Sequence, residues 1–316
     1  MLRTVVLLSL AIIMTSNVYP QQSIENRAAT NAHELKILSW NIYMLPALVS
    51  TFNHNSERAE LIGDQLKDSD YQIIVFQEAF TRKSREIISR KLSDKYPYQY
   101  GPINPPAIPL HTNSGLWIIS RIPLTLLKSI KFKRTSGFDS VAQKGAALFQ
   151  GNYKGSSFQL LATHLQADNP ERIAVEQCRE IAGLLHEFYQ PDMPQLLCGD
   201  FNTEMADTPN YKRMLQTLDA DNGDLEGKLR FTYDEFNNSL AQKPNGKTKL
   251  IDYILTRNTH LIEQIKRSVV EFCHTDNNRN IHLSDHYALE ATVSLTIPTK
   301  INISEHNILQ TASLSH

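Results

Sequence analysis

Short apolar runs rich in β-branched residues alternate along this chain with longer stretches whose apolar positions recur every three or four residues. The first run, Leu35-Lys36-Ile37-Leu38-Ser39-Trp40-Asn41, alternates as a strand with Leu35, Ile37 and Ser39 on one face. From Ser56 to Lys67 the spacing of Ala59, Ile62 and Leu66 predicts a helix behind a serine N-cap. Gln72–Phe76 reads as a buried strand, and Thr81–Asp94 as a second helix with Ile87, Ile88 and Leu92 on its inner side. Strands follow at 115–120, 125–132, 145–150 and 157–163, and the short turns between them predict antiparallel hairpins. Glu171–Tyr189, opened by Pro170, has helical spacing and leads into Gln195-Leu196-Leu197-Cys198-Gly199-Asp200-Phe201-Asn202-Thr203. In that last stretch Gly199 is expected to turn the backbone, so that Asp200 and Asn202 face one side and Phe201 packs inward. A helix over 208–218, a strand over 249–255 and an alternating strand over 287–296 complete the pattern.

Length and punctuation then set the domain organisation. With 316 residues, 41% of them apolar, and no Pro/Gly/Ser-rich linker in the middle, the chain reads as one domain over 35–297. Residues 1–20 carry a charged start and a short apolar core at 5–14, the pattern of a secretory signal peptide. That core is too short to span a membrane. Residues 21–34 read as a mobile leader and 298–316 as a polar tail. Secretion is therefore expected. The stretch from Gly101 to Leu110 contains four prolines, which exclude helix or central strand and predict a stiff apolar surface loop.

Three cysteines cannot form a disulfide framework, and Cys178 and Cys198 fall on apolar positions as buried thiols. No Cys/His zinc spacing is present. The formal charge of −1 gives no electrostatic footprint for nucleic acid, and none is expected as a partner.

The candidate chemistry lies at strand ends. Asn41, Glu78, His164, Asp200, Asn202, Asp252, Asp285 and His286 each stand at or beside the end of a predicted strand, where neighbouring strands converge on one rim. Hard oxygen donors suit Mg²⁺, and two histidines can move protons. Asp252 sits among apolar residues and needs a partner. On the residues alone, the pattern reaches a mixed α/β or α+β sandwich.

In order, Trp40-Asn41, Gln77-Glu78, Thr163-His164, Gly199-Asp200-Phe201-Asn202, Ile251-Asp252-Tyr253 and Ser284-Asp285-His286 resemble the motifs of the exonuclease-endonuclease-phosphatase superfamily. Asn41–Pro46, Glu78-Ala79-Phe80, Tyr96-Pro97-Tyr98 and Phe138–Gly145 resemble its branch of secreted bacterial neutral sphingomyelinases. The resemblance runs from Leu35 to about Val293. It implies an α+β, four-layer αββα sandwich of two mainly antiparallel sheets, the DNase-like fold, in a single domain. It implies a Mg²⁺-dependent phosphodiesterase, with Mn²⁺ or Co²⁺ as other candidate metals, whose partner is sphingomyelin at a membrane surface.

By the same resemblance Glu78 is the direct metal ligand, helped by Asn41, with Asp285 a further carboxylate near the metal. His286 is the general base oriented by Asp252, with Asp200 the other candidate base. Asp200 and Asn202 position water and a phosphoryl oxygen, and His164 and Lys144, the latter paired with Asp139, stabilise the reacting phosphorus and its leaving group. A DNase-like endonuclease and a non-catalytic binding protein are the competing expectations. One departure stands out. Where the bacterial enzymes often carry a long aromatic hairpin, residues 271–282 are short and polar, and the loop over 102–110 is either a substitute docking surface or a rigid crossover.

Overall fold

The computed structural model describes residues 33–46, 54–106, 111–167, 171–276 and 279–296. The signal-peptide, leader and tail expectations fall outside these residues, except for the last two leader positions, which already belong to the first strand. In the first half of the chain the elements are β1 (His33–Asn41), α1 (Asn55–Leu66), β2 (Ile73–Gln77), α2 (Arg82–Leu92), β3 (Tyr98–Tyr100), β4 (Trp117–Ser120), β5 (Leu124–Lys131), β6 (Gly145–Tyr153) and β7 (Ser156–His164). Then come α3 (Glu171–Glu187), β8 (Gln195–Asp200), α4 (Thr208–Leu218), β9 (Leu225–Glu226), β10 (Tyr233–Asp234), β11 (Thr248–Lys249) and β12 (Asp252–Arg257). Last are β13 (Ile262–Val270), β14 (Cys273–Asp276), β15 (Arg279–His282) and β16 (Ala288–Leu295).

Two large sheets form, with strand orders β3-β4-β2-β1-β16-β13-β9 and β12-β8-β7-β6-β5. Most pairs are antiparallel; β1 with β2, β7 with β8 and β9 with β13 run parallel. The period of two along each strand divides its side chains between two cores. Leu35, Ile37, Ile73 and Val75 of the larger sheet meet Phe149, Leu160, Leu196 and Ile254 of the smaller one. Alternate residues Leu38, Trp40, Ile74 and Phe76 pack outward on Ile62, Leu66, Ile87 and Ile88 of α1 and α2. On the other outer face, Leu148, Leu161, Leu197 and Leu255 pack on Ile181, Leu185, Met214 and Leu218 of α3 and α4. Helix, sheet, sheet and helix are thus the four layers of the αββα sandwich.

Several local expectations change. The N-cap position of helix α1 is held by His54, in the left-handed conformation and with no side-chain cap hydrogen bond, while Ser56 lies inside the helix. β4 and β5 do not form a hairpin: all four residues of β4 are buried and pair inside the larger sheet, whereas β5, mostly exposed, is an edge of the smaller one. The link between them is a crossover through Arg121-Ile122-Pro123, where proline has no N–H to offer a hairpin ladder. Gly199 makes no turn. It sits inside β8, between Thr163 and Tyr253, and a Cβ there would lie 2.0 Å from the Thr163 carbonyl oxygen. The close approach of strands, not turning, requires glycine, and the left-handed residue that turns the chain is Asn202, at φ 46°.

The strand expected over 249–255 divides into β11, paired with β10, and β12, paired with β8. Strand β13, with polar residues on its open face, has no counterpart in the predicted elements. Ile103, at the start of the proline-rich loop, is a core residue of the inter-sheet cluster rather than a surface one; Ile108 and Leu110 of that loop lie outside the described residues. Strands β14 and β15 pair antiparallel, Cys273 level with His282, and their residues are largely polar.

Candidate active site

Strand register assembles the site. His164, at the end of β7, is level with Asp200 at the end of parallel β8, and Asp200 is level with Asp252 at the start of antiparallel β12. Neighbours at one level of a sheet project to the same side, so three chemically active side chains form a row. In the other sheet β1 ends on Asn41 beside the end of β2, where Glu78 follows. Because β16 runs antiparallel to β1, its entry, Asp285-His286, arrives at that same rim. Lys144 precedes β6, which is antiparallel to β7, and so reaches the His164 end.

The contacts are specific. His286 Nδ1 lies 2.9 Å from Asp252 Oδ2, while its Nε2 lies 3.9 Å from Asp200 Oδ2. Asp200 is engaged at both oxygens: Oδ1 accepts the Asn202 backbone N–H at 2.9 Å, and Oδ2 accepts Asn41 Nδ2–H at 3.1 Å, with His164 Nε2 at 3.5 Å. Asn202 Nδ2 donates to the Leu165 carbonyl at 3.1 Å. Lys144, 2% exposed, donates to His164 Nε2 and to the Leu165 carbonyl, each at 3.0 Å, and pairs with Asp139 Oδ1 at 2.9 Å. Asp139 also accepts the Ala167 N–H at 2.7 Å, so it fixes the lysine as well as its own turn. All ten residues singled out in the sequence converge in this one network or on its edge.

Burial and charge set the protonation states. Burial opposes a charge on His286, but the carboxylates of Asp252, Asp285 and Asp200 outweigh it and hold the imidazole well above the ordinary histidine range. His164 is driven the other way, by burial and then by Lys144 and His286, and is neutral. Because Lys144 donates to Nε2, its proton sits on Nδ1, which is buried without a hydrogen-bond partner. Burial, with Asp252 adding to it, pushes Asp200 up to about 6. Glu78 is pushed up to about 7 by burial and by the neighbouring Asp285, and Asp285 is raised by burial as well.

The set fits a divalent cation. Glu78 takes the left-handed conformation, φ 53°, unusual for its type, and its Oε2 is buried with no hydrogen-bond partner. A buried carboxylate whose protonation a neighbouring carboxylate raises, and whose buried oxygen is left unsatisfied, is the arrangement a hard cation relieves. Asp200, Asp252 and His286 also present ligand atoms within 4.8 Å of one another, yet His286 Nδ1 and Asp252 are already joined by a hydrogen bond. The unsatisfied Oε2 of Glu78, with Asp285 near it, is an oxygen at this rim left available to a cation. Glu78, His164, Asp200, Asn202, Asp285 and His286 line a cleft of about 480 Å³ that is also lined by Thr203, Glu204, Asp207, Tyr233, Lys243 and Lys249.

Three supporting residues have no role assigned from the sequence. Arg58 is buried under the rim, donating to the carbonyls of Ile42, at 2.9 Å, Leu283, at 2.8 Å, and Tyr43. It thereby ties the loop after Asn41 to the loop before Asp285. A charge on the inner stripe of a helix, beside Ala59 and Ile62, was its signal. Ser284 donates to the Asn41 carbonyl at 2.6 Å and accepts the His286 N–H at 3.2 Å. Tyr233 places its ring 5.1 Å from that of His286, a contact no local pattern announces.

The chain is similar to known proteins over most of its length. It is 26% identical over 280 residues to phospholipase C of Staphylococcus aureus, covering 82% of this chain and 84% of that protein. It is 25% identical over 272 residues to sphingomyelinase C of Bacillus cereus, covering 77% and 81%. Among solved structures, a mutant of beta toxin from Staphylococcus aureus with bound magnesium ions superposes with a TM-score of 0.72 at 25% identity, covering 82% of this chain and 99% of that one. Residues 38–286, from β1 to the His286 imidazole, match the Endonuclease/Exonuclease/phosphatase family, and the chain belongs to that family.

Proposed function

We propose that the protein is an exported, Mg²⁺-dependent phosphodiesterase that hydrolyses sphingomyelin to ceramide and phosphocholine, with water attacking phosphorus in line with the departing alkoxide. The observation that carries this reading is the His286–Asp252 pair at 2.9 Å, set at the rim beside the unsatisfied carboxylate of Glu78. The names of the relatives, sphingomyelinase C and phospholipase C, support the choice of lipid. Export rests on the apolar run at 5–14.

His286 receives its orientation from Asp252; a cation beside Asp285 would offset the carboxylate charge that keeps the imidazole protonated, and the neutral ring could then take a proton from water at Nε2 as the new P–O bond forms. The carboxylate of Asp252 stabilises the resulting imidazolium. Asp200 is a poorer base, since Asn202 and Asn41 already occupy its oxygens; it holds the amides in place instead. The ammonium of Lys144, fixed by Asp139 and the Leu165 carbonyl, lends positive charge to the phosphoryl oxygens and to the alkoxide as the bond to ceramide breaks. Glu78 and Asp285, with Asn41 beside them, would hold magnesium, which when bound would neutralise phosphate charge.

The test is release of phosphocholine from sphingomyelin vesicles with Mg²⁺ and with chelator, beside His286→Ala and a plasmid-nicking assay. Release is expected to need the metal and to fall at least about 10³-fold in the variant. Nicking of plasmid with no release from lipid would overturn the lipid substrate in favour of a nuclease, and neither activity would overturn the enzyme.

A further inference from the structure

The segment that carries Tyr233 to the catalytic cleft also presents large apolar side chains to solvent. Phe236 is 55% exposed and Phe231 42% exposed, on either side of Tyr233. Met205, 44% exposed, belongs to the loop leaving Asn202 and donates its backbone N–H to the Leu250 carbonyl, next to Lys249, the register partner of Tyr233. All three therefore flank residues that line the cleft. Buried neighbours do not account for them: the Phe236 N–H is taken up by Asp234 Oδ1, a turn that holds the aromatic ring outward.

Charge on this segment is as uneven as its polarity. Between residues 228 and 249 there are five lysines and arginines against two acidic residues, whereas the whole chain has a formal charge of −1. Arg230 adjoins Phe231, Lys247 is exposed across from Glu235, and Lys249 lies 5.5 Å above the Tyr233 ring. Aromatic side chains interleaved with cations around a catalytic opening match an interface with an apolar interior and a phosphate-bearing surface. By contrast, the β14–β15 pair offers Ile281 alone as an exposed large apolar side chain among its described residues.

We infer that Phe231, Phe236 and Met205, ringed by Arg230, Lys247 and Lys249, form a docking surface for a phospholipid bilayer that brings the cleft mouth against lipid headgroups. The inference rests on the lipid-hydrolase reading of the cleft, but it can fail separately from that reading. Aromatic rings enter the headgroup boundary, the cations meet phosphate oxygens, and Tyr233 lies between the docked rings and His286.

The test is co-sedimentation of the full chain with sphingomyelin-free vesicles of phosphatidylcholine and phosphatidylserine, so that binding is read without turnover. Phe231→Ser/Phe236→Ser is expected to weaken partitioning by at least about tenfold, given the apolar area two phenylalanines bury. Leu126→Ser, at an exposed apolar site on edge strand β5, is expected to leave partitioning unchanged. Thermal unfolding of both variants confirms that the fold is kept, which the exposure of these side chains predicts. Undiminished partitioning of the double variant, or no partitioning of the wild type, would overturn the surface. Retention of an oligonucleotide that the double variant loses, with no vesicle binding, would overturn it in favour of nucleic acid. Vesicle binding that follows these expectations without phosphocholine release from sphingomyelin would leave the surface standing and sink the proposed activity.

Discussion

Asp252 is 1% exposed, with one oxygen on His286 and the other without a hydrogen-bond partner. A buried carboxylate in that position is costly, and its use is to fix the tautomer and orientation of the imidazole. Asp252→Asn preserves size but can present an N–H to Nδ1. Phosphocholine release is therefore expected to fall about 10²- to 10⁴-fold while the thermal midpoint changes little; steady-state kinetics beside calorimetry would check it, and near-normal turnover would remove Asp252 from the account. Arg58 works by a different route. Its guanidinium holds three carbonyls from two loops, and burial lowers its affinity for the proton, to a pKa of about 10. Arg58→Met keeps the apolar stem and abandons those carbonyls, so a loss of about 2–4 kcal/mol is expected in chemical denaturation. At this scale the sequence was informative where chemistry and position coincide: Asp252 amid apolar neighbours already demanded a partner. Arg58 carried only a charge on an inner helical stripe, and Tyr233 no signal, because their partners are far away along the chain.

Elements place these residues through register, and glycine sets how closely the strands can approach. Gly199 lies level with Thr163 and Tyr253, one step before the row His164, Asp200 and Asp252. A methyl group there would meet the Thr163 carbonyl at 2.0 Å and force β7 from β8. Gly199→Ala is expected to destabilise the protein by about 3 kcal/mol or more, by the cost of overpacking a filled interior. Its residual activity should fall as well, since His164 and Asp200 would no longer be level; a variant as stable as the wild type would refute the register argument. Runs with strong periodicity, such as those of β1, β7 and α3, could be read directly, because both faces of each strand and one stripe of the helix are apolar. Strand β13 could not: its open face alternates charged and polar residues, and tertiary pairing with β16 decides its state. The crossover from β4 to β5 was hidden for a related reason, since a short connection does not reveal which sheet its second strand joins.

Across the whole molecule, two sheets converge on one rim, and the charges gathered there couple folding to pH. His164 binds its proton less readily when folded, through burial, Lys144 and His286. The unfolded chain therefore takes up a proton that the native state refuses, and stability falls as pH drops below the ordinary histidine value of about 6.5. The raised carboxylates of Asp200 and Glu78 act in the opposite sense, so the comparison must be with a variant. Between about pH 7.5 and 5.5 the wild type is expected to lose roughly 1 kcal/mol more than His164→Gln, measured by denaturant midpoints. Equal losses would mean that His164 is not held neutral. The four-layer architecture followed from ordered strand-end motifs together with a family resemblance, whereas composition and periodicity alone reached only a mixed sandwich. What ties architecture to chemistry is the claim that water attacks the phosphorus of sphingomyelin at this rim. Hydrolysis in water enriched in oxygen-18, followed by mass spectrometry of both products, tests that claim most directly. One heavy oxygen in phosphocholine and none in ceramide is the result predicted; heavy oxygen in ceramide, or no hydrolysis with magnesium present, would contradict it.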